Sequence, residues 1–335
     1  AAGNSIVLKV SSSTPRTAMA IAQIYKDAGL PDGVLNIVSC KRTEAEIFLT
    51  HPKVKGITFV GTTKAGKHIY SVAAAHGKRV QALCEAKNHA LVMYDAPIER
   101  TAAGIINAAY GCAGERCMAL PVVVAHEKIA DKLVEELLKQ AKLIKVGPAY
   151  DKTSKLGPVV NPQHKERIEG YIAKGVEEGA TLVLDGRNHV VEGFEKGFYL
   201  GPTIFDHVTE DMVIGKEEIF GPVLCVKRVK SFEEGLEIMN NNPFANGSVI
   251  FTQSGYYARE FARNTDGGMV GVNVGIPVPV GFFSFTGHKD SFFGDLHCLG
   301  KDAFRFFTEQ KTVTTKWFTQ EESTQTEVST WDGTI

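Results

Sequence analysis

Short runs of β-branched and apolar residues alternate with helical patterns through the opening of the chain, and this alternation restricts the fold more than any other feature. Runs at 6–10, 34–38, 57–60 and 80–84 are separated by helical segments near 15–28, 43–50 and 63–75. Strands joined through helices pair in parallel, so the pattern predicts a parallel sheet with helices on its faces. The first helix carries consistent punctuation, with Thr14 as N-cap, Pro15 at the first helical position, and Gly29 and Pro31 past its end.

The rhythm continues beyond Pro97. A long helical stretch reaches "GCAGERCMAL", "PVVVAH" reads as a strand, and residues 127–142 read as an amphipathic helix with Ile129, Leu133, Val134, Leu137, Leu138 and Ala141 on one face. Mixed pattern runs on to Asn273 through the strand "PVLCVKRV" and the turn-like "NNNPFANG". At 335 residues with 44% hydrophobic side chains, the chain can bury two cores, and a second α/β domain accounts for this half. From Thr319 the tail is polar and aperiodic, which predicts disorder.

A net charge of -1 and the lack of a Lys/Arg cluster argue against nucleic acid as a partner, and no apolar run is long enough to span a bilayer. The six cysteines, Cys40, Cys84, Cys112, Cys117, Cys225 and Cys298, form no C-x-x-C pair, so neither a zinc knuckle nor a redox dithiol is signalled, and no metal site is expected. A reduced, cytoplasmic compartment fits this usage, or the mitochondrial matrix in a eukaryote. The chain opens at Ala1 without Met or a leader pattern, and the expectation is that its true N-terminus lies upstream.

Two short stretches carry chemistry. In "GITFVGTTKAGKHI", Gly61, Gly66 and Lys67 fit a phosphate loop, but His68 stands where a hydroxyl should hold Mg²⁺. The loop follows a strand and opens a helix, where N–H groups face an anion; the competing reading is a glycine turn that lets helix pack close on strand. In "GERC", Arg116 precedes Cys117, and an adjacent guanidinium favours a nucleophilic thiolate, whereas a free cysteine commonly packs as a small hydrophobe. The residues alone leave both questions open. No histidine has metal spacing or the setting of a catalytic base.

Taken in order, "GNSIVLKVSSSTP", "GLPDGVLNIVS", "GITFVGTTKAGKHI", "GERCMAL", "EEIFGPVL" and "GVNVGIPVPV" followed by "FSFTG" resemble the aldehyde dehydrogenase superfamily over residues 1–318, and most of all its coenzyme A-acylating methylmalonate-semialdehyde branch. The resemblance implies an α/β fold with a Rossmann-type cofactor domain, incomplete at its N-terminus, over 1–88 and a catalytic domain over 89–289. A return to the cofactor domain over 290–305, an oligomerisation strand over 306–318 and a tail over 319–335 follow. It also implies a dinucleotide at the glycine loop: NAD contacted by Lys9, Ser12, Ser13, Gly61, Thr62, Cys84, Glu218 and Phe220. Cys117 would be the nucleophile, with Arg116 on the substrate carboxylate and Phe285 as an aromatic wall. The implied reaction is oxidation of malonate or methylmalonate semialdehyde, with loss of CO₂, to acetyl- or propionyl-coenzyme A, in a homodimer or homotetramer.

Departures from the family pattern shape these expectations. Hydrolytic members use a Glu where Leu83 stands here, and leucine cannot accept a proton, which agrees with acyl transfer to coenzyme A. Glu85 replaces a small residue two positions on, roughly 6.6 Å along the strand, and is a candidate displaced base for a hydrolytic alternative. The ribose-binding carboxylate is absent from "KVSS", which predicts some NADP use. The oxyanion Asn and a second carboxylate-binding Arg are expected upstream of Ala1. A non-catalytic homologue that binds dinucleotide or pairs with a full-length subunit, and a phosphotransferase using the glycine loop, are the other readings.

Overall fold

The computed structural model describes residues 2–321 and 323. The expectation of disorder from Thr319 falls largely on residues outside that set. The opening βα units form as the alternation predicts: β1 (Ile6–Lys9), α1 (Pro15–Asp27), β2 (Leu35–Val38), the single turns α2 (Arg42–Ala45) and α3 (Ile47–Thr50), β3 (Gly56–Val60), α4 (Thr63–Ala75) and β4 (Arg79–Leu83). Both pairings are parallel, β1 with β2 and β3 with β4. No ladder joins the two pairs, so the single sheet expected over these residues is divided into two small ones. Thr14 occupies the N-cap position of α1 but its side chain makes no capping bond; Pro15 alone sets that helix start.

The following elements are β5 (His89–Val92), α5 (Ile98–Tyr110), β6 (Val122–His126), α6 (Glu127–Ala141), α7 (Pro162–Glu177), β7 (Thr181–Leu184), β8 (Thr203–Asp206), α8 (Val213–Lys216), β9 (Val223–Val229), α9 (Phe232–Asn240), β10 (Phe244–Ala245), β11 (Gly247–Phe251), α10 (Gly255–Asn264) and β12 (Met269–Val272). Seven of these strands make one sheet in the order β12-β11-β5-β6-β9-β8-β7, parallel throughout except for the edge strand β7. Strands β5, β6, β8 and β11 are buried at every residue, as continuous apolar strands covered on both faces must be. One core lies on the α5–α6 side, built on Ile105, Leu120, Leu133, Leu137 and Ile204; the other lies on the α7–α9 side, built on Leu91, Ile168, Phe205, Ile214 and Phe261.

The chain then returns. After β13 (His288–Lys289), β14 (Phe292–Phe293) pairs antiparallel with β4, and α11 (Gly300–Phe306) follows. Arg79 holds this end through Nη1, which donates to the carbonyls of Arg305, Phe306 and Thr308. The segment predicted as a strand over 306–318 is not one among the described residues: "AFRF" lies in α11, and residues 308–318 are exposed without regular structure. A strand is defined by the neighbour that closes its hydrogen bonds, and no described strand lies beside this segment. Among the described residues, no helix is long and apolar enough to cross a membrane.

Candidate active site

The carboxyl ends of β3 and β4 meet the amino ends of β5, β6, β9 and β11, and the chemistry-bearing residues collect at this seam. From β3 and β4 come Gly61, Thr62, Cys84, Glu85 and Ala86; ahead of the other strands stand Asn88, Cys117, Glu218, Phe220 and Asn246. Binding at the carboxyl ends is the usual geometry for the first set. The second set uses the opposite edge of its sheet.

Cys117 sits half-buried in the loop between α5 and β6. Cys112, Ala113 and Gly114 adopt φ of 52°, 56° and 71°, three successive left-handed residues that turn the chain sharply out of α5. Gly114 is required there, because a Cβ would lie 2.2 Å from the Gly221 carbonyl oxygen. The Cys117 carbonyl is fixed by two amides: Asn88 Nδ2 donates to it at 2.9 Å and Asn246 Nδ2 at 3.1 Å. Sequence reasoning missed both. Their only signal was an amide just before an apolar strand, which "KNHALV" and "FANGSVIF" share.

Burial is the main influence on the Cys117 thiol and pushes it above its ordinary range; Glu218 adds to this, while the N–H groups of Cys117 and Met118 oppose it. The expected help from Arg116 is absent. Its guanidinium turns back toward α5, packing against Gly111, and Nε donates to Cys112 Sγ at 3.1 Å. Nor does Arg116 pair with Glu115. That carboxylate accepts the Val160 N–H at 3.1 Å and lies 3.3 Å from His164 Nε2, which also donates to the Phe220 carbonyl at 2.7 Å. Burial raises Glu115 to about 6. Among the described residues Arg116 makes no ion pair, so its charge is available to a ligand anion.

Glu218 accepts the Ala86 N–H at 2.9 Å, and burial pushes its carboxyl up to about 7, with Glu85 acting in the same direction. Phe220 follows in a left-handed conformation, φ 62°, held through its carbonyl by His164. Beneath them the buried Lys87 donates to the Glu217 carbonyl at 2.6 Å, and burial lowers its pKa to about 8. Lysine, histidine and the two amides thus bind the Glu217–Phe220 segment and the Cys117 loop into one frame.

On the cofactor side, Thr62 is the N-cap of α4, its Oγ1 accepting the Ala65 N–H at 3.4 Å. The glycine turn does let helix pack on strand: a Cβ on Gly66 would lie 2.2 Å from Cys84 Sγ. Cys84, expected at the cofactor, is therefore a core residue; its N–H is taken by the Ser291 carbonyl, and burial raises the thiol to about 12. Lys67, the lysine a phosphotransferase would need, pairs with Asp290 at 3.0 Å, and His68, standing where such a loop needs a hydroxyl, pairs with Glu46 at 2.9 Å. Lys9, Ser12 and Ser13 are exposed at the end of β1. Leu83, closing β4, offers no acid, and the Glu85 carboxylate accepts the Thr63 N–H at 2.9 Å, an engagement that speaks against the displaced-base reading. Phe285 is half-buried, and its N–H donates to the Cys298 carbonyl at 2.7 Å.

A loop of three successive left-handed residues thus presents a half-buried thiol at the seam, beside a parallel βα unit. The aldehyde dehydrogenase family model matches residues 1–313, and the chain belongs to that family. It is 49% identical to malonate-semialdehyde dehydrogenase 1 of Oceanobacillus iheyensis and 51% identical to that of Geobacillus thermodenitrificans, in each case over 318 residues, 95% of this chain and 65% of the relative. The chain thus spans about two thirds of the length of these curated relatives. Among solved structures it is similar to methylmalonate-semialdehyde dehydrogenase from Oceanimonas doudoroffii, with TM-score 0.93 and 45% identity over 95% of this chain and 66% of that one. It is also similar to Mycobacterium tuberculosis aldehyde dehydrogenase complexed with NAD⁺, with TM-score 0.86 and 30% identity over 92% of this chain and 62% of that one.

Proposed function

We propose that the chain carries the nucleophile and much of the dinucleotide site of a coenzyme A-acylating malonate- or methylmalonate-semialdehyde dehydrogenase. The observation that carries the reading is the Cys117 loop, clamped by Asn88 and Asn246 with two backbone N–H groups on the sulfur, opposite a β4 terminus where Leu83 replaces an acid. Such N–H groups are suited to a developing oxyanion as well as to a thiolate. The names of the relatives supply the substrate class.

The residues fit a nicotinamide dinucleotide in part. Glu218 stands ready to accept ribose hydroxyls, Phe220 lies beside it, and Gly61 and Thr62 open α4 toward the pyrophosphate; Lys9, Ser12 and Ser13 are free to meet the adenosine ribose. When bound, the dinucleotide supplies the hydride acceptor. Cys117 loses its proton, attacks the aldehyde carbon and, after oxidation, holds the acyl group as a thioester. With no base at Leu83, water is poorly activated and the thiol of coenzyme A takes the acyl group. Arg116 meets the substrate carboxylate by forked hydrogen bonds. Ser12 in place of an acidic ribose partner allows some NADP use. The domain boundary at 88/89 is supported by where the seven-stranded sheet begins, and a cytoplasmic homo-oligomer using residues 306–318 at its interface completes the reading.

Single-turnover formation of reduced cofactor from the purified chain tests it. Cys117→Ala should abolish the burst, a loss of at least about 10³-fold. Product formation should depend on coenzyme A; rapid acid release without it would overturn the acyl-transfer assignment.

A further inference from the structure

The first backbone donors of a helix are the usual seat of a phosphate. In α4 they are already engaged from within the chain: Ala65 N–H by Thr62 Oγ1 and Thr63 N–H by the carboxylate of Glu85. Glu85 is held firmly in this position. Its N–H lies 3.4 Å from Thr63 Oγ1, and its carbonyl accepts from Ser291 Oγ at 2.7 Å. Of the two lysines in this turn, Lys67 is paired with Asp290 at 3.0 Å, and exposed Lys64 makes no described hydrogen bond or ion pair with Glu85. The field of Glu85 reaches across the seam, since it adds to the burial that holds Glu218 protonated to about 7.

We propose that Glu85 is an intramolecular competitor for the dinucleotide pyrophosphate at the N-terminus of α4, a built-in brake that sets cofactor affinity. The inference rests on the dinucleotide reading above. A phosphate approaching Thr62 and Thr63 must displace a carboxylate from an N–H it already holds and then remain beside that like charge. Adenosine, which carries no phosphate, meets no such opposition.

NADH titrations followed by nicotinamide fluorescence, and adenosine titrations by calorimetry, on the wild-type chain, Glu85→Gln and Glu85→Gly test the proposal. Glutamine keeps an acceptor for Thr63 N–H, and a melting curve on each variant verifies that it is folded. Both variants should bind NADH about tenfold more tightly while adenosine affinity stays unchanged. Equal or weaker NADH binding in the variants would overturn the proposal, as would an equal gain for adenosine, which would make bulk rather than charge the cause. If none of the three chains binds NADH at millimolar concentration, the dinucleotide reading itself fails, and the brake with it.

Discussion

Helices α1 and α6 are both amphipathic and of similar length, 13 and 15 residues, yet α6 buries Ala130, Leu133, Val134, Leu137 and Ala141 while α1 buries none of its residues. In α1, Met19, Ile24 and Tyr25 are more than half exposed, and the β1 residues Ile6 and Val7 that precede it are about half exposed. An apolar stripe states what a helix can bury; only a facing layer decides whether it does. The nucleophile loop belongs to the covered half of the molecule and is correspondingly fixed, whereas the residues assigned to the adenosine ribose sit on the uncovered half.

The largest test of this contrast is Leu133→Ala. A fully buried leucine in a closed core should cost about 2–5 kcal/mol by denaturant unfolding. Next comes Gly66→Ala, at a tight joint of the β3–β4 half, where the new methyl would overlap Cys84 Sγ; overpacking should cost about 1–3 kcal/mol, and the double variant with Cys84→Ala should recover much of it. At the seam, Glu218 is displaced from an ordinary 4.5 to about 7, so between those values the folded state keeps a proton that the unfolded state has lost. Its stabilising contribution is complete below pH 4.5 and disappears as pH rises through 7; stability measured across this window should slope downward, and Glu218→Gln should flatten the slope. Smallest of all, Ile24→Ala in α1 should change stability by less than about 0.5 kcal/mol; a loss matching that of Leu133→Ala would mean that α1 is covered after all.

Legibility followed range. The helix over α6 and its buried stripe could be read because period 3.6 is a local property, and the strands β6 and β9 because continuous apolar runs bounded by turns have few other uses. The strand expected over 306–318 shows the same rule in reverse: the alternation was real, but α11 takes Phe306 and no described strand lies beside the remainder. At the seam, Cys117 and Glu218 were singled out from their motifs, while Asn88 and Asn246 were not. Their amides reach the Cys117 carbonyl across 29 and 129 residues of sequence, and no local pattern records such a contact. Arg116 was misjudged through adjacency. Neighbours in sequence need not share a direction, and the left-handed turn at 112–114 aims its guanidinium at Cys112.

The sequence by itself determined the βα rhythm, the family and the want of an acid at Leu83, since each is written in residue type and spacing. Tertiary structure alone decided that Cys84 packs under Gly66, that Glu85 faces α4 rather than the thiol, and that burial raises the Cys117 thiol. Hydrogen bonds and desolvation act through space at a few ångströms, and proximity of that kind exists only once the chain has folded.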